Sequence, residues 1–94
     1  MRVAWTEQAA AELEAIREHM VAQSPAAAAA LMAAIARRLD QLEAFPESGR
    51  IVPEYRIPLV REVIVGPYRV LYRLAVGHIE ILGVFHGARA VLDE

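Results

Sequence analysis

The 94-residue sequence contains no cysteine and no lysine. Without cysteine the chain can form no disulfide, no zinc–thiolate site and no thiol nucleophile. All ten basic residues are arginine, which fits either a GC-rich genome or selection for bidentate anion recognition. The net charge of −2 gives the chain no general attraction to nucleic acid.

A long hydrophobic run is also missing. The longest apolar stretch, Ala26 to Ala36, ends at Arg37 and Arg38 and is shorter than the roughly 20 residues that a membrane-spanning helix needs. The N-terminus lacks the apolar segment of a signal peptide. We therefore expect a soluble, cytosolic protein that does not bind membranes, folded as a single domain over residues 1–94.

Two amphipathic helices are predicted in the first half of the chain. Thr6 is a good N-cap for a helix that runs to about Gln23. Ser24 followed by Pro25 begins a second helix, which ends at Phe45. The apolar positions recur every three or four residues, as in a helix with one buried face: Ala9, Leu13, Ile16 and Met20 in the first, and Leu31, Ile35, Leu39 and Leu42 in the second.

Extended patterns dominate the second half. Residues 46–56 carry dense turn signals and are predicted to form a loop. Three strands follow, at Leu59 to Val65, Tyr68 to Ala75 and His78 to Phe85, and their short connections predict an antiparallel meander. With a short first strand at residues 2–5, the order predicts an α+β fold of the type β-α-α-β-β-β, with an antiparallel sheet packed against an N-terminal helical hairpin.

The alternation of side chains along a strand assigns residues to faces. Arg69 and Arg73 lie four residues apart and are expected to share one face. In the last strand, Phe85 is expected on the same face as Ile79 and Ile81, and Val84 on the other. Tyr68 and Tyr72 are interpreted as packing residues of the core or sheet; the alternative is that they form platforms on which bases stack.

Five segments carry a family resemblance. In chain order they are Val3 to Thr6, Ser24 to Ala27, Phe45 to Arg50, Arg61 to Arg73 and Val84 to Arg89. They resemble the first strand, the joint between the helices, the loop after the second helix, the central hairpin and the last strand of the ParE/RelE toxin family. The resemblance implies the toxin of a type II toxin–antitoxin system, neutralised by a cognate antitoxin in a hetero-oligomer.

The family contains two mechanisms, and a fold alone does not choose between them. ParE-type members poison DNA gyrase, whereas RelE-type members cut mRNA on the ribosome. Net negative charge, the absence of lysine, and Gly87 and Ala88 where nucleases often carry a tyrosine after His86 all disfavour the nuclease. We expect a gyrase inhibitor; a ribosome-dependent endonuclease and a non-toxic binding module are the alternatives.

RNA cleavage by attack of a 2′-hydroxyl needs a base, an acid and cations around the phosphate. If the chain is a nuclease, these roles fall to Glu47 or Glu54, Arg61, Arg73 and His86. No metal site is expected, because there is no cysteine and the histidines are widely spaced. We predict no cofactor.

The sequence also suggests a partner-binding patch. Its candidate members are Arg61, Arg69, Arg73, His86 and Arg89. The alternative interpretation is that the arginines are solvated or paired locally, and that His86 forms a structural hydrogen bond. If the patch binds a partner, Arg73→Ala should reduce toxicity and leave thermal stability nearly unchanged.

Overall fold

The computed structural model describes residues 1–87. Their elements are the strand β1 (Arg2–Trp5), the helices α1 (Glu7–Gln23) and α2 (Pro25–Ala44), and the strands β2 (Arg50–Ile51), β3 (Val60–Val65), β4 (Tyr68–Ala75) and β5 (His78–His86). No helix in this part of the chain is long and apolar enough to cross a lipid bilayer. The α+β architecture agrees with the order of elements predicted from the sequence.

Side-chain caps define where both helices begin. The Thr6 hydroxyl accepts a hydrogen bond from the amide of Ala9 at 3.1 Å, and the Ser24 hydroxyl accepts one from the amide of Ala27 at 3.2 Å. Each bond satisfies an amide that has no partner inside its helix. Pro25 occupies the first turn of α2, where its missing N–H costs nothing. Both predicted caps are confirmed.

The five strands form one mixed sheet in the order β1-β5-β4-β3-β2. The meander of β3, β4 and β5 is antiparallel, as predicted. The prediction of a wholly antiparallel sheet is wrong, because β1 pairs with β5 in parallel. The predicted loop at residues 46–56 contains the short strand β2, which pairs Arg50 with Glu62 and Ile51 with Arg61. A two-residue strand is too short to show alternation, so no periodicity predicts it.

One face of the sheet, here called the helix face, packs against α1 and α2. The predicted apolar residues of α2 are all buried there. The sheet contributes a second set of buried side chains, which are Val63, Val65, Val70, Tyr72, Ile79, Ile81 and Val84. The opposite face of the sheet is called the outer face.

A β-bulge changes the orientation of the last strand. Leu71 pairs with Gly83 and Tyr72 with Ile81, so Leu82 is an extra residue in β5. An extra residue moves all later side chains to the other face. Val84 therefore packs in the core of the helix face, whereas Phe85 pairs with Arg69 on the outer face. The predicted faces of Val84 and Phe85 are wrong for this reason.

Candidate functional site

The arginines of the predicted patch lie on different faces of the sheet. Arg61 pairs with Tyr72, a residue of the core, and therefore lies on the helix face. Arg69 and Arg73 point to the outer face, because side chains alternate along β4. Arg69 and Arg73 thus share a face as predicted, but Arg61 cannot join them in one continuous patch.

Arg61 holds the chain that leads from α2 to β3. Its guanidinium donates hydrogen bonds to the backbone carbonyls of Pro58 at 3.0 Å, Gly49 at 3.0 Å and Glu47 at 3.3 Å. A guanidinium has five N–H donors in a fixed plane, so one side chain can join several carbonyls. This arrangement gives Arg61 a structural role in fixing the segment between residues 47 and 58.

Tyr72 fixes the same segment from the core. Its hydroxyl donates to the Pro46 carbonyl at 2.8 Å and accepts from the Gly49 amide at 3.0 Å. Burial raises the pKa of the Tyr72 phenol, and the Gly49 amide partly offsets this effect. A Cβ at Gly49 would lie 2.5 Å from the Tyr72 hydroxyl and 2.6 Å from the Glu62 carbonyl oxygen. Only glycine therefore fits at this position of the family-like segment Phe45 to Arg50.

The outer face contains an ionic cluster formed by Arg50, Glu54, Glu62 and Arg69. The Glu62 carboxylate, which is fully buried, accepts from Arg50 Nε at 2.5 Å and from Arg69 Nε at 2.6 Å. Arg69 also donates to both carboxylate oxygens of Glu54, at 2.9 and 3.0 Å. Glu54, together with Glu62, raises the pKa of the Arg69 guanidinium, although desolvation acts in the opposite direction. Arg69 is thus a buried structural cation.

Arg73 is the exposed member of the pair on β4. It forms an ion pair with Glu80 on the neighbouring strand, with nitrogen–oxygen distances of 2.7 and 3.0 Å. The Arg73 side chain keeps 45% of its surface accessible. Local pairing, the alternative interpretation for these arginines, therefore describes both Arg69 and Arg73.

The residues proposed for a nuclease do not converge. His86 pairs with Tyr68 at one end of β4, and the two rings form an edge-to-face contact with centroids 5.6 Å apart. Arg73 lies five residues further along β4, which at about 3.3 Å per residue places it roughly 16 Å away. Glu47 and Arg61 meet only through a backbone carbonyl of Glu47. These positions bring no acid, base and cation to one point.

Two other candidates complete the predicted set. Glu54, the alternative acid, is engaged by Arg69 in the ionic cluster. Arg89 lies outside the described residues. Within residues 1–87, no group of three or more histidine, cysteine, aspartate or glutamate side chains is placed to hold a metal ion.

An apolar groove that none of the sequence-based predictions includes lies at one end of the sheet. Its volume is about 850 Å³, and its lining includes Met1, Phe45, Leu59, Leu74 and Val76. Phe45 is 68% exposed and Val76 is completely exposed. The sequence signal was available, because a valine in the turn Val76-Gly77 and a phenylalanine at a helix end are unusual in positions that face water. The groove is therefore an apolar surface that faces water.

A smaller cavity of about 390 Å³ lies between α1 and β5. Glu12, His19, Tyr68 and His86 line it. One oxygen of the Glu12 carboxylate accepts a hydrogen bond from the amide of Val84 at 3.0 Å, next to the bulge. Glu12 thus has a structural partner.

Comparison with known proteins gives matches over nearly the whole chain. The family model described as the ParE toxin of the type II toxin–antitoxin system parDE matches residues 3–91. A protein named toxin RelE2 from Caulobacter vibrioides is 36% identical over 89 residues, which cover 94% of this chain and 97% of the relative. The putative toxin Y4kP from Sinorhizobium fredii is 36% identical over 87 residues, covering 90% and 86% of the two chains.

A solved structure gives an independent comparison of the fold. The structure titled "Chromosomal ParDE TA system from P. aeruginosa" superposes with a TM-score of 0.75 at 28% sequence identity. The match covers 92% of this chain and 95% of that chain. The arrangement of helices and sheet described above is therefore one that a solved toxin–antitoxin structure also contains.

Proposed function

Because the chain belongs to the ParE toxin family of type II toxin–antitoxin systems, we propose that it arrests growth by inhibiting DNA gyrase and that a cognate antitoxin neutralises it in a hetero-oligomer. The mechanism is a protein–protein contact with the target. No cofactor takes part.

The pairing of the outer-face arginines is the observation that supports this target. A nuclease must place cations around a phosphate that gains charge in the transition state. Here Arg69 is engaged by Glu54 and Glu62, and Arg73 by Glu80. In each case the carboxylate compensates the charge of the arginine and would compete with a phosphate for it. A protein interface makes no such demand, since a few exposed arginine and apolar side chains are sufficient.

A ribosome-dependent mRNA endonuclease is the second candidate. It is favoured by the name of one relative, toxin RelE2, which matches nearly the whole chain. The residues available for it are Glu47, Arg61, Arg73 and His86. His86 and Arg73 lie at opposite ends of β4, so cleavage would require a rearrangement of the sheet or groups supplied by the ribosome.

A supercoiling assay with purified gyrase tests the proposed target. We expect the purified toxin to inhibit supercoiling or to trap cleaved DNA, and the complex with its antitoxin to be inactive. Expression without the antitoxin should cause DNA breaks and an SOS response. Uninhibited gyrase together with a rapid halt in translation would contradict the proposal.

The antitoxin is expected to cover the apolar groove. Large apolar surfaces that face water usually mark sites of protein contact, and their burial by a partner would also stabilise a small domain. Val76→Asp should weaken binding of the protein encoded beside the toxin gene by about tenfold or more, equivalent to about 1.4 kcal/mol. Val21→Asp, at a partly exposed valine on α1, is the matched control. If the two variants bind the antitoxin with equal affinity, the groove is not the antitoxin-binding surface.

A further inference from the structure

The segment between β2 and β3, called the 52–57 turn and formed by residues 52–57, is fixed to the outer face at two points. Val52 is completely buried, and its carbonyl oxygen accepts hydrogen bonds from the amides of Tyr55 at 3.1 Å and Arg56 at 2.9 Å. Glu54 receives two hydrogen bonds from the buried guanidinium of Arg69. A buried apolar side chain and a bidentate ion pair thus determine the shape of the turn.

Arg56 has an unusual backbone conformation. Its φ of 57° lies in the left-handed region, and it is the one residue other than glycine with positive φ among residues 1–87. A side chain with a Cβ is disfavoured there, and such conformations persist where the surrounding structure enforces them. The contacts of Val52 and Glu54, which precede Arg56 in the turn, supply that enforcement.

The chemistry at the tip of the turn is that of a protein interface. Tyr55 is 37% exposed, Ile57 is 47% exposed, and Arg56 is also exposed. Tyrosine and arginine are enriched among the residues that contribute most to protein binding. A turn that is already rigid loses little conformational freedom on binding, which favours affinity for a folded surface.

The charge of this surface indicates the chemistry of its partner. Within the described residues, Arg56 forms no ion pair, whereas Arg50, Arg69 and Arg73 each pair with glutamate. The nearest carboxylates of the turn and of β3, Glu54 and Glu62, are already bound to arginine. The turn therefore presents a positive surface on a chain whose net charge is −2, and an acidic partner would complement it.

We propose that Tyr55, Arg56 and Ile57 form the surface through which the toxin contacts its protein target, and that the target offers an acidic surface with an apolar hollow. The assignment rests on the proposed function insofar as it requires a protein target. It separates two surfaces of the toxin: the 52–57 turn contacts the target, and the apolar groove is the surface proposed above for the antitoxin.

The test compares Arg56→Glu with Arg37→Glu, which makes the same charge change at an exposed position of α2. Three quantities are measured for each full-length variant. They are growth arrest on expression without antitoxin, the concentration that half-inhibits purified gyrase, and co-purification with the protein encoded beside the toxin gene. Melting temperatures establish that the variants fold.

We expect Arg56→Glu to abolish growth arrest and to raise the half-inhibitory concentration about tenfold or more, equivalent to at least about 1.4 kcal/mol of lost binding. Its melting temperature and its co-purification with the antitoxin should match those of Arg37→Glu. If Arg56→Glu folds poorly, Arg56→Gly decides the matter, because glycine suits the left-handed conformation and removes the guanidinium. Wild-type toxicity in the folded variant, or loss of antitoxin binding with toxicity retained, would overturn the assignment.

The gyrase assay separates failure of this assignment from failure of the proposed target. If the wild-type toxin arrests growth and leaves gyrase active, gyrase is the wrong target, and the turn is then judged by the growth arrest of its variants alone. If the wild-type toxin neither arrests growth nor inhibits gyrase, both proposals are overturned.

Discussion

The two faces of the sheet are stabilised by different interactions. The helix face is covered by α1 and α2, and its fully buried side chains are apolar apart from the phenol of Tyr72. The outer face is covered in part by the 52–57 turn, and it buries two charged side chains, Glu62 and Arg69. The first face is therefore stabilised mainly by removal of apolar surface from water, and the second depends on charges that must remain paired.

The two faces therefore have different roles: one contributes stability, and the other positions the 52–57 turn. A buried ion pair is a weak source of net stability, because desolvation offsets much of the attraction between the charges. Its loss is costly nevertheless, since one partner would remain buried and unpaired. The ionic cluster consequently acts to hold the 52–57 turn in one position on the sheet, while the core of the helix face contributes most of the free energy of unfolding.

The largest effect is expected from breaking the ionic cluster. Arg69→Ala removes the partner of both Glu54 and Glu62 and leaves the buried Glu62 carboxylate with Arg50 alone. We expect the free energy of unfolding to fall by about 3–5 kcal/mol, measured by chemical denaturation. A loss below about 1 kcal/mol would show that the outer face does not depend on this pairing.

On the helix face, the corresponding polar contact is the Tyr72 hydroxyl. Tyr72→Phe keeps the ring in the core but leaves the Gly49 amide and the Pro46 carbonyl without their partner. The expected cost is about 1–3 kcal/mol, smaller than that of Arg69→Ala. If thermal denaturation shows no change, water must replace the hydroxyl as the partner of the Gly49 amide and the Pro46 carbonyl.

A rise in pH tests the contribution of the Tyr72 phenol to stability without a mutation in the core. Because the pKa of Tyr72 is raised above its ordinary value of 10.0, the folded state favours the neutral phenol. Its contribution to stability is therefore complete below pH 10 and is lost as the pH rises through the folded-state pKa. The difference in stability between wild type and Tyr72→Phe should decrease above pH 10; a constant difference would contradict the assignment.

The smallest change in stability is expected at the exposed ion pair between Arg73 and Glu80 on the outer face. Arg73→Ala removes an exposed ion pair with Glu80, and such pairs contribute between 0 and about 1 kcal/mol. Denaturation should show a change within about 0.5 kcal/mol, while growth arrest should weaken if Arg73 belongs to the partner surface. A folded Arg73→Ala variant that is fully toxic would remove this residue from the patch.

The contrast between the faces also explains what the sequence could reveal. The helix face follows from periodicity: the caps Thr6 and Ser24 and the spacing of Leu31, Ile35 and Leu39 are local signals. The outer face depends on pairings between distant residues, such as Glu54 with Arg69, which no periodicity encodes. The same limit concealed β2 and the bulge at Leu82, because both are defined by a neighbouring strand.

For the candidate site, alternation correctly placed Arg69 and Arg73 on one face. It could not show that Arg69 is buried, because burial results from the 52–57 turn folding back over the sheet. Nor could it show that Arg61 points to the other face, since that depends on the register between β3 and β4. The sequence thus identified the residue types of the site but not their grouping.

The most direct test of the central claim, that the toxin acts by binding a protein and not by cutting RNA, is primer extension on ribosome-bound transcripts incubated with the purified protein. We predict no cleavage, because Arg69 and Arg73 are engaged by carboxylates and His86 lies at the other end of the β4–β5 ladder from Arg73. Defined cuts within codons that disappear in His86→Ala or Arg73→Ala would contradict the account and establish the chain as a nuclease.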